Sequence, residues 1–232
     1  MITLIPGKIG SKGVPLKNLR DLGGYPLIMW SVAAANLLSC PVFVTTDSHD
    51  VEDVVSDFVD GVNICDQKGD KFIIENLIQR FGKPEVVIYL RPTTPFRDIN
   101  VLKHIIGLWH KHSGLYSLRT MHEMTEPCGK MYKVRDDEGS TNVETEFTPY
   151  EDGLSHDEAN KCRQDLKPSF YPNGYIDITQ TEKIDLNLFG EPFLGYLTEP
   201  TIEIDTEEQL EYAQYWVKKH GHPLLDYMKA VM

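Results

Sequence analysis

The sequence predicts an α/β fold, a Rossmann-like, mainly parallel sheet with helices on both faces. Short apolar, β-prone runs alternate with amphipathic helical segments over the first 112 residues. This alternation is typical of parallel sheets, because each strand needs a crossover to return to the same edge. The chain has 232 residues, of which 41% are apolar and 25% charged, so it can bury a large core and a disordered chain is excluded.

Each predicted element follows from a local pattern. Strands are predicted where a short apolar run ends in turn residues, at 2–5, 42–45, 62–64, 86–90, 174–178 and 201–205. Helices are predicted where apolar residues recur at helical spacing, at 26–38, 49–59, 73–81, 98–112 and from 206 onwards. Thr206 and Gln209 form a capping box at the start of the last helix.

Residues 119–170 differ from the rest of the chain. They are polar, rich in Glu, Asp, Gly and Asn, and contain few apolar runs. We expect one domain over 1–232, with this segment as an extended arm or lid subdomain of two strands and a loop.

Charge and composition exclude some functions. The chain has 23 Lys and Arg against 35 Asp and Glu, a net charge of −12, so we expect neither nucleic-acid nor membrane binding. The first apolar run ends within five residues, which predicts no signal peptide and a cytoplasmic location. The four cysteines lack zinc spacing and are expected to be free thiols.

The loop after the first strand is the best candidate for anion binding. Residues 1–20 contain no acid but include four cations around three glycines, namely Lys8, Lys12, Lys17, Arg20, Gly7, Gly10 and Gly13. Ligands of open α/β sheets bind beyond the carboxyl ends of the strands. Phosphate binding is therefore predicted, although the spacing matches neither the dinucleotide nor the P-loop motif. A solvated basic loop is the alternative.

Three further groups of residues are candidates for binding or catalysis. Glu203 and Asp205 are two positions apart on a predicted strand, so both would point to one face and could hold Mg²⁺. A solvated strand edge is the alternative. Arg91 follows the most apolar strand and could bind a carboxylate or phosphate, unless it is only a surface turn residue. Arg163 lies in an acidic section and could bind an acid group of a ligand, and an ion pair with neighbouring carboxylates of the chain is the alternative.

Together these motifs resemble the acylneuraminate cytidylyltransferases, which make CMP-sialic acid and CMP-nonulosonic acids. The resemblance covers nearly the whole chain. The matching motifs are 5–19, 45–48, 90–97, 163–166, 171–174 and 202–208. It implies a nucleotidyltransferase (GT-A-like) fold and transfer of CMP from CTP to the anomeric hydroxyl of an acidic nine-carbon sugar, with Mg²⁺ and release of pyrophosphate. It also implies a homodimer whose 119–170 arm reaches the partner's site.

The resemblance also implies roles for individual residues. Those that bind phosphate or act in catalysis are Lys8, Lys17 and Arg163, and those that bind the nucleotide are Gly10, Ser11, Lys12, Asn18 and Asp70. Those near the sugar are Arg91, Lys130, Gln164, Asn173 and Asp177, and those that hold the metal are Glu203 and Asp205.

The sequence departs from the family pattern at several of these positions. The family has Arg at position 8, Gln at 91, Tyr at 177 and Asp at 203, and its base-binding stretch is shortened here to 65–70. A related nucleotidyltransferase that uses another nucleotide or another acidic sugar is therefore a competing hypothesis. A nucleotide-sugar glycosyltransferase and a non-catalytic sugar-nucleotide binding protein are two more.

Overall fold

The computed structural model describes residues 1–10, 13–112, 114–134, 147–182, 184 and 188–232. The strands are β1 (Ile2–Pro6), β2 (Asp21–Leu22), β3 (Tyr25–Pro26), β4 (Val42–Thr46), β5 (Gly61–Ile64), β6 (Val86–Tyr89), β7 (Ser117–Glu123), β8 (Tyr132–Val134), β9 (Phe147–Pro149), β10 (Phe170–Gln180) and β11 (Phe193–Leu197). The α-helices are α1 (Leu27–Asn36), α2 (His49–Val55), α3 (Asp70–Phe81), α4 (Ile99–Lys111), α5 (His156–Ala159), α6 (Glu207–His220) and α7 (Pro223–Val231). Short 3₁₀ helices cover Lys17–Leu19, Ser56–Phe58, Cys128–Lys130 and Arg163–Asp165.

A mainly parallel sheet is confirmed. In the described residues it has seven strands in the order β11-β7-β10-β6-β1-β4-β5. β1 pairs in parallel with β4 and β6, and β4 with β5, whereas β10 runs antiparallel to β6. The carboxyl ends of β1, β4 and β6 therefore meet at one edge, where the loops after them lie side by side.

The core lies on both faces of this sheet. Leu4 and Ile5 are adjacent on β1 and both fully buried, yet they belong to different apolar clusters. Successive strand side chains point to opposite faces, so one cluster lies on each side. The smaller cluster contains Leu77 of α3, and the larger one contains the wholly buried run 27–35 of α1. Helices on both faces are therefore confirmed.

The predicted strand at 201–205 is wrong. The segment is irregular, and the amide of Ile204 donates one hydrogen bond to the carbonyl of Thr93 (2.8 Å). Ile204 is fully buried and Ile202 partly buried in the larger cluster, so the alternating pattern reflects burial of a loop. Strand β11 and helix α7 were not predicted from any sequence pattern.

The described chain divides into two compact units, residues 1–120 with 173–232, and residues 121–172. The second unit contains the antiparallel pair β8–β9, with Lys133 opposite Thr148, and helix α5 with a capping box at Ser155. Its role as an arm or lid stays a prediction. None of the described helices has the length and hydrophobicity that a membrane span needs. All four cysteines are free thiols, as predicted.

Arg97 links three parts of the first unit. It follows the loop after β6 and is only 1% exposed. Its guanidinium donates to the carbonyls of Arg91 (2.7 Å), Tyr175 (2.6 Å) and Gly174 (3.2 Å), and to the hydroxyl of Ser31 on α1 (3.0 Å). Because burial disfavours the charged form, the pKa of Arg97 falls to about 9.

We predict that Arg97→Lys destabilises the protein, because a single ammonium cannot reach all four acceptors while its burial cost remains. The expected loss is about 2–3 kcal/mol in the free energy of unfolding, measured by urea denaturation. Arg80→Lys, at an exposed position on α3, is the matched control and should stay within about 0.5 kcal/mol of the parent. Equal stability of Arg97→Lys and parent would contradict this role.

His222 lies in an aromatic cluster and begins α7. Its ring packs against Trp30 (5.5 Å between centroids) and Phe96 (5.4 Å), and its Nδ1 accepts a hydrogen bond from the amide of Leu224 (3.1 Å). Nδ1 must therefore be unprotonated. Burial lowers the pKa of His222 to about 4, although Asp98 and Asp226 act in the opposite direction.

This depressed pKa predicts a loss of stability in mild acid. Below about pH 6.5 the unfolded chain binds a proton at this histidine, whereas the folded chain does so only near pH 4. The free energy of unfolding should thus fall over this interval, by roughly 1–2 kcal/mol for a half-buried ring. His222→Asn keeps a helix cap but not the titration, so its stability should fall less than that of the parent between pH 6.5 and 4. Parallel pH profiles would refute the assignment.

Candidate functional site

A cavity of about 330 Å³ lies at the carboxyl-end edge of the sheet. It is lined by residues from the loop after β1, from the start of α3 and from the loop after β6. It brings together five of the predicted site residues, Lys8, Lys17, Asn18, Asp70 and Arg91. These residues are up to 83 positions apart in sequence, and the parallel strands bring them to one place.

Side chains from neighbouring elements fix the start of the β1 loop. Asn18, only 5% exposed, donates from Nδ2 to the carbonyl of Lys8 (2.7 Å). The Thr46 hydroxyl donates to the carbonyl of Gly7 (2.8 Å), and Asp47 Oδ1 accepts from the amide of Ile9 (2.8 Å). The loop is thus tied to the end of β4 on one side and to the 3₁₀ turn on the other.

The two lysines of the cavity differ in their partners. Lys17 Nζ lies 2.7 Å from Asp205 Oδ1 and donates to the carbonyl of Ile204 (3.0 Å). Lys8 is exposed, and in the described residues no carboxylate pairs with it. Lys8 can therefore take an anion directly, whereas Lys17 connects the β1 loop to the acidic segment at 203–205.

Glu203 and Asp205 lie on the irregular segment rather than on a strand. Burial, followed by the nearby charge of Asp205, raises the pKa of Glu203. The two carboxylates are therefore close enough for their charges to interact, although they do not lie on a strand as predicted. Among the described residues, no group of three or more His, Cys, Asp or Glu side chains could hold a metal ion.

Gly13 explains how closely the β1 loop approaches this segment. A Cβ at position 13 would overlap the carbonyl oxygen of Asp205, far inside van der Waals contact. Only glycine allows this approach of two backbones. A second contact joins the same two parts of the chain. Arg20 donates hydrogen bonds to both carboxylate oxygens of Glu207 at the start of α6 (2.7 and 3.0 Å).

Arg91 is held within a network of alternating charges. Its guanidinium lies 2.6 Å from Asp70 Oδ2 and 3.6 Å from Asp177 Oδ2. The side chain of Asp177 is fully buried, and Arg119 binds both its oxygens (3.0 and 3.3 Å). Burial alone would lower the pKa of Arg91, but Asp70, together with Tyr89 and Asp177, outweighs it and the pKa is raised. Arg91 therefore stays charged but is already paired.

Tyr89 and Gly174 of β10 both lie against this network. Tyr89 donates from its hydroxyl to Asp70 Oδ1 (2.8 Å), and burial, then Asp70, raises the tyrosine pKa well above its ordinary value. Gly174 has a φ of 63°, and a Cβ there would lie 2.8 Å from Arg91 Cδ. Asn173 is buried and donates from Nδ2 to the Thr198 hydroxyl (2.6 Å).

The remaining predicted residues lie elsewhere. Gly10 is exposed on the β1 loop, and Ser11 and Lys12 fall outside the described residues. Lys130, Arg163 and Gln164 belong to the second unit, where Arg163 donates to the carbonyl of Thr125 (3.0 Å). Their part in a site stays a prediction.

Sequence reasoning missed two residues of this region. Arg119 was overlooked because its partner Asp177 is 58 positions away, and no local pattern connects them. Gln67 lines the cavity and is 9% exposed, and it lies in the 65–70 stretch that the resemblance marks as base-binding, but no pattern singles out this residue within the stretch. Asp47 was not missed, because it belongs to the 45–48 motif on which the resemblance rests, and it directly follows a buried strand at the binding edge.

Comparison with known proteins places this geometry in context. A CMP-N,N'-diacetyllegionaminic acid synthase of Legionella pneumophila is 32% identical over 127 residues, which cover 49% of this chain and 54% of that protein. An N-acylneuraminate cytidylyltransferase of Oncorhynchus mykiss is 28% identical over 236 residues, which cover 96% and 51%. The chain thus spans about half the length of the curated relatives it matches.

The fold also has a solved counterpart. The structure of a CMP:2-keto-3-deoxy-manno-octonic acid synthetase complexed with CTP superposes with a TM-score of 0.69 over 94% of this chain and 98% of that one. At 15% identity this likeness shows the fold alone. Residues 2–136 match the model of the family described as cytidylyltransferase. Because that match covers more than half of the 232 residues, the chain belongs to the cytidylyltransferase family.

Proposed function

We propose that this chain transfers CMP from CTP to the anomeric hydroxyl of a nonulosonic, sialic-type acid and releases pyrophosphate. The observation that carries the proposal is the cavity in which Lys8 and Lys17 lie with Asn18, Asp70 and Arg91, while Lys17 also binds Asp205. The cavity thus offers cations for a triphosphate, and the ion pair of Lys17 with Asp205 connects it to the carboxylates proposed for the metal. The names of the relatives support the substrate class. A cytoplasmic location is part of this proposal.

The reaction needs positioning and neutralisation of charge. The anomeric oxygen forms a bond to the α-phosphorus, the bond from that phosphorus to the oxygen bridging to the β-phosphate breaks, and the hydroxyl proton is lost. Negative charge grows on the departing pyrophosphate, and preorganised cations stabilise it. Lys8 is assigned to the phosphates because it is exposed at the cavity, and Lys17 because it reaches the same cavity from the 3₁₀ turn.

Glu203 and Asp205 are the residues that would hold Mg²⁺. Mg²⁺ in nucleotide sites takes one or two carboxylates and completes its shell with water and phosphate oxygens, so this pair is sufficient. Burial, followed by the charge of Asp205, raises the pKa of Glu203, and a bound divalent cation would favour its charged form. When bound, the cation would neutralise charge on the phosphate oxygens.

The sugar acid is assigned to the Arg91 side of the cavity. Arg91 and Asp70 line the cavity and present a donor and an acceptor, as a polyhydroxylated ligand requires, while the fully buried Asp177 positions Arg91. Asn173 of β10 is buried and hydrogen-bonds to Thr198, so its part in binding the sugar acid stays a proposal. In the second unit, Lys130 and Gln164 are proposed to bind the sugar acid, and Arg163 is proposed to act in catalysis. The departure of Arg91 and Asp177 from the family pattern favours a sugar other than N-acetylneuraminate.

We predict that Asp205→Asn lowers turnover by at least about 100-fold, because it removes one of two metal carboxylates. Stability should change by less than about 1 kcal/mol, since the lost ion pair with Lys17 is largely exposed at Asp205. Pyrophosphate release with Mg²⁺, each of the four nucleoside triphosphates and a panel of nonulosonic acids is the measurement.

Asp53→Asn, at an exposed position on α2, is the matched control and should retain parental turnover. Unchanged turnover of Asp205→Asn would remove the metal assignment. Release with another nucleotide alone would favour the related nucleotidyltransferase. Release from a nucleotide sugar of the free nucleotide, without pyrophosphate, would favour a glycosyltransferase.

A homodimer is part of the same proposal, with residues 121–172 as the arm that contacts the partner. We expect the purified chain to scatter light with about twice its mass of 26.5 kDa. Deletion of 121–172 should reduce the mass to that of one shortened chain. A parental mass of one chain would contradict the dimer without affecting the proposed reaction.

A further inference from the structure

Gln67 presents a buried acceptor that the protein itself does not use. The residue lines the cavity beside Asp70 and is 9% exposed. Its Nε2 donates to the carbonyl of Cys65 (3.1 Å), whereas its Oε1 is buried and has no hydrogen-bond partner within the described part of the chain. Such atoms are rare in native proteins, and a bound ligand is one way to satisfy them.

The orientation of this amide is fixed by its neighbour. If the amide were turned by 180°, Oε1 would face the carbonyl oxygen of Cys65, and two acceptors would then oppose each other. The amide therefore offers an acceptor to a ligand rather than a donor. A ligand group that satisfies it must carry an N–H or O–H.

The surroundings of Gln67 suit the ring of a nucleobase. Ile73 is buried at the same cavity, and Pro6 and Pro92 also line it, so apolar surface is available for a flat ring. Lys8 and Lys17 line the cavity as well, which provides for the phosphates of the same ligand. A nucleotide would thus find both its apolar and its anionic parts matched.

We infer that Gln67 Oε1 accepts a hydrogen bond from the exocyclic amino group of cytosine and so selects CTP over UTP. This inference rests on the proposed function and names the residue that reads the base. Uracil carries a carbonyl oxygen at that position, which would leave Oε1 buried against a second acceptor. A site built to bind an N–H group rejects an analogue that lacks it.

The test measures nucleotide binding without any sugar, by titration calorimetry with Mg²⁺. Three ligands are compared: CTP, UTP and the 2-pyrimidinone ribonucleoside triphosphate, which is CTP without its amino group. The parent should bind CTP about tenfold or more tightly than either of the others. Gln67→Met removes the acceptor at similar volume, so this variant should bind all three nucleotides with dissociation constants within about threefold of one another. Removing both the acceptor and the amino group should then weaken binding no more than removing either one alone.

Gln79→Met, at an exposed position on α3, is the matched control and should keep the parental preference. Gln67→Glu retains an acceptor and should also favour CTP. A parent that binds CTP and the 2-pyrimidinone triphosphate with equal affinity would overturn the inference without any variant. A preference for CTP that persists in Gln67→Met would overturn it as well. A parent that binds none of the three nucleotides would instead overturn the proposed function, and the role of Gln67 with it.

Discussion

The buried guanidinium of Arg97 is the constraint on which the binding edge depends. Its hydrogen bonds join the loop after β6, residues 174–175 of β10 and helix α1. All these acceptors are uncharged, so the buried guanidinium positions backbone segments and does not form an ion pair with them. The two carbonyls of Arg91 and Gly174 are thereby held at a fixed separation, and the Arg91 side chain is held against Asp177.

Positive and negative side chains alternate from Arg119 to Asp70 beside the buried Arg97. Asp177 is buried between Arg119 and Arg91, and Arg91 in turn reaches Asp70. Two carboxylates and two guanidinium groups cancel, which lets a chain of net charge −12 keep acidic residues at an anion-binding edge. Lys8 is then the cation of the cavity that the described residues leave without a carboxylate partner.

Local sequence patterns could predict the architecture and much of the site, and their limits have a physical cause. Strands β1, β4 and β6 are buried on both faces, so they appear as continuous apolar runs, and the loops after them contain most of the cavity residues. The strand prediction at 201–205 failed because Ile202 and Ile204 are buried at alternate positions of a loop, and a half-buried strand shows the same pattern. Arg119, and the choice of Gln67 within the 65–70 stretch, could not be found, since the importance of each depends on contacts that only the folded chain supplies.

Gly13 has a consequence for comparing this chain with its relatives. Its missing side chain leaves room for the backbone of Asp205, nearly two hundred positions later in the sequence. The two positions therefore form one steric unit, and neither can be exchanged or shifted independently of the other. A relative with a side chain at position 13 must place its acidic segment differently. In an alignment, that single column would separate chains that share this carboxylate geometry from chains that only share the fold.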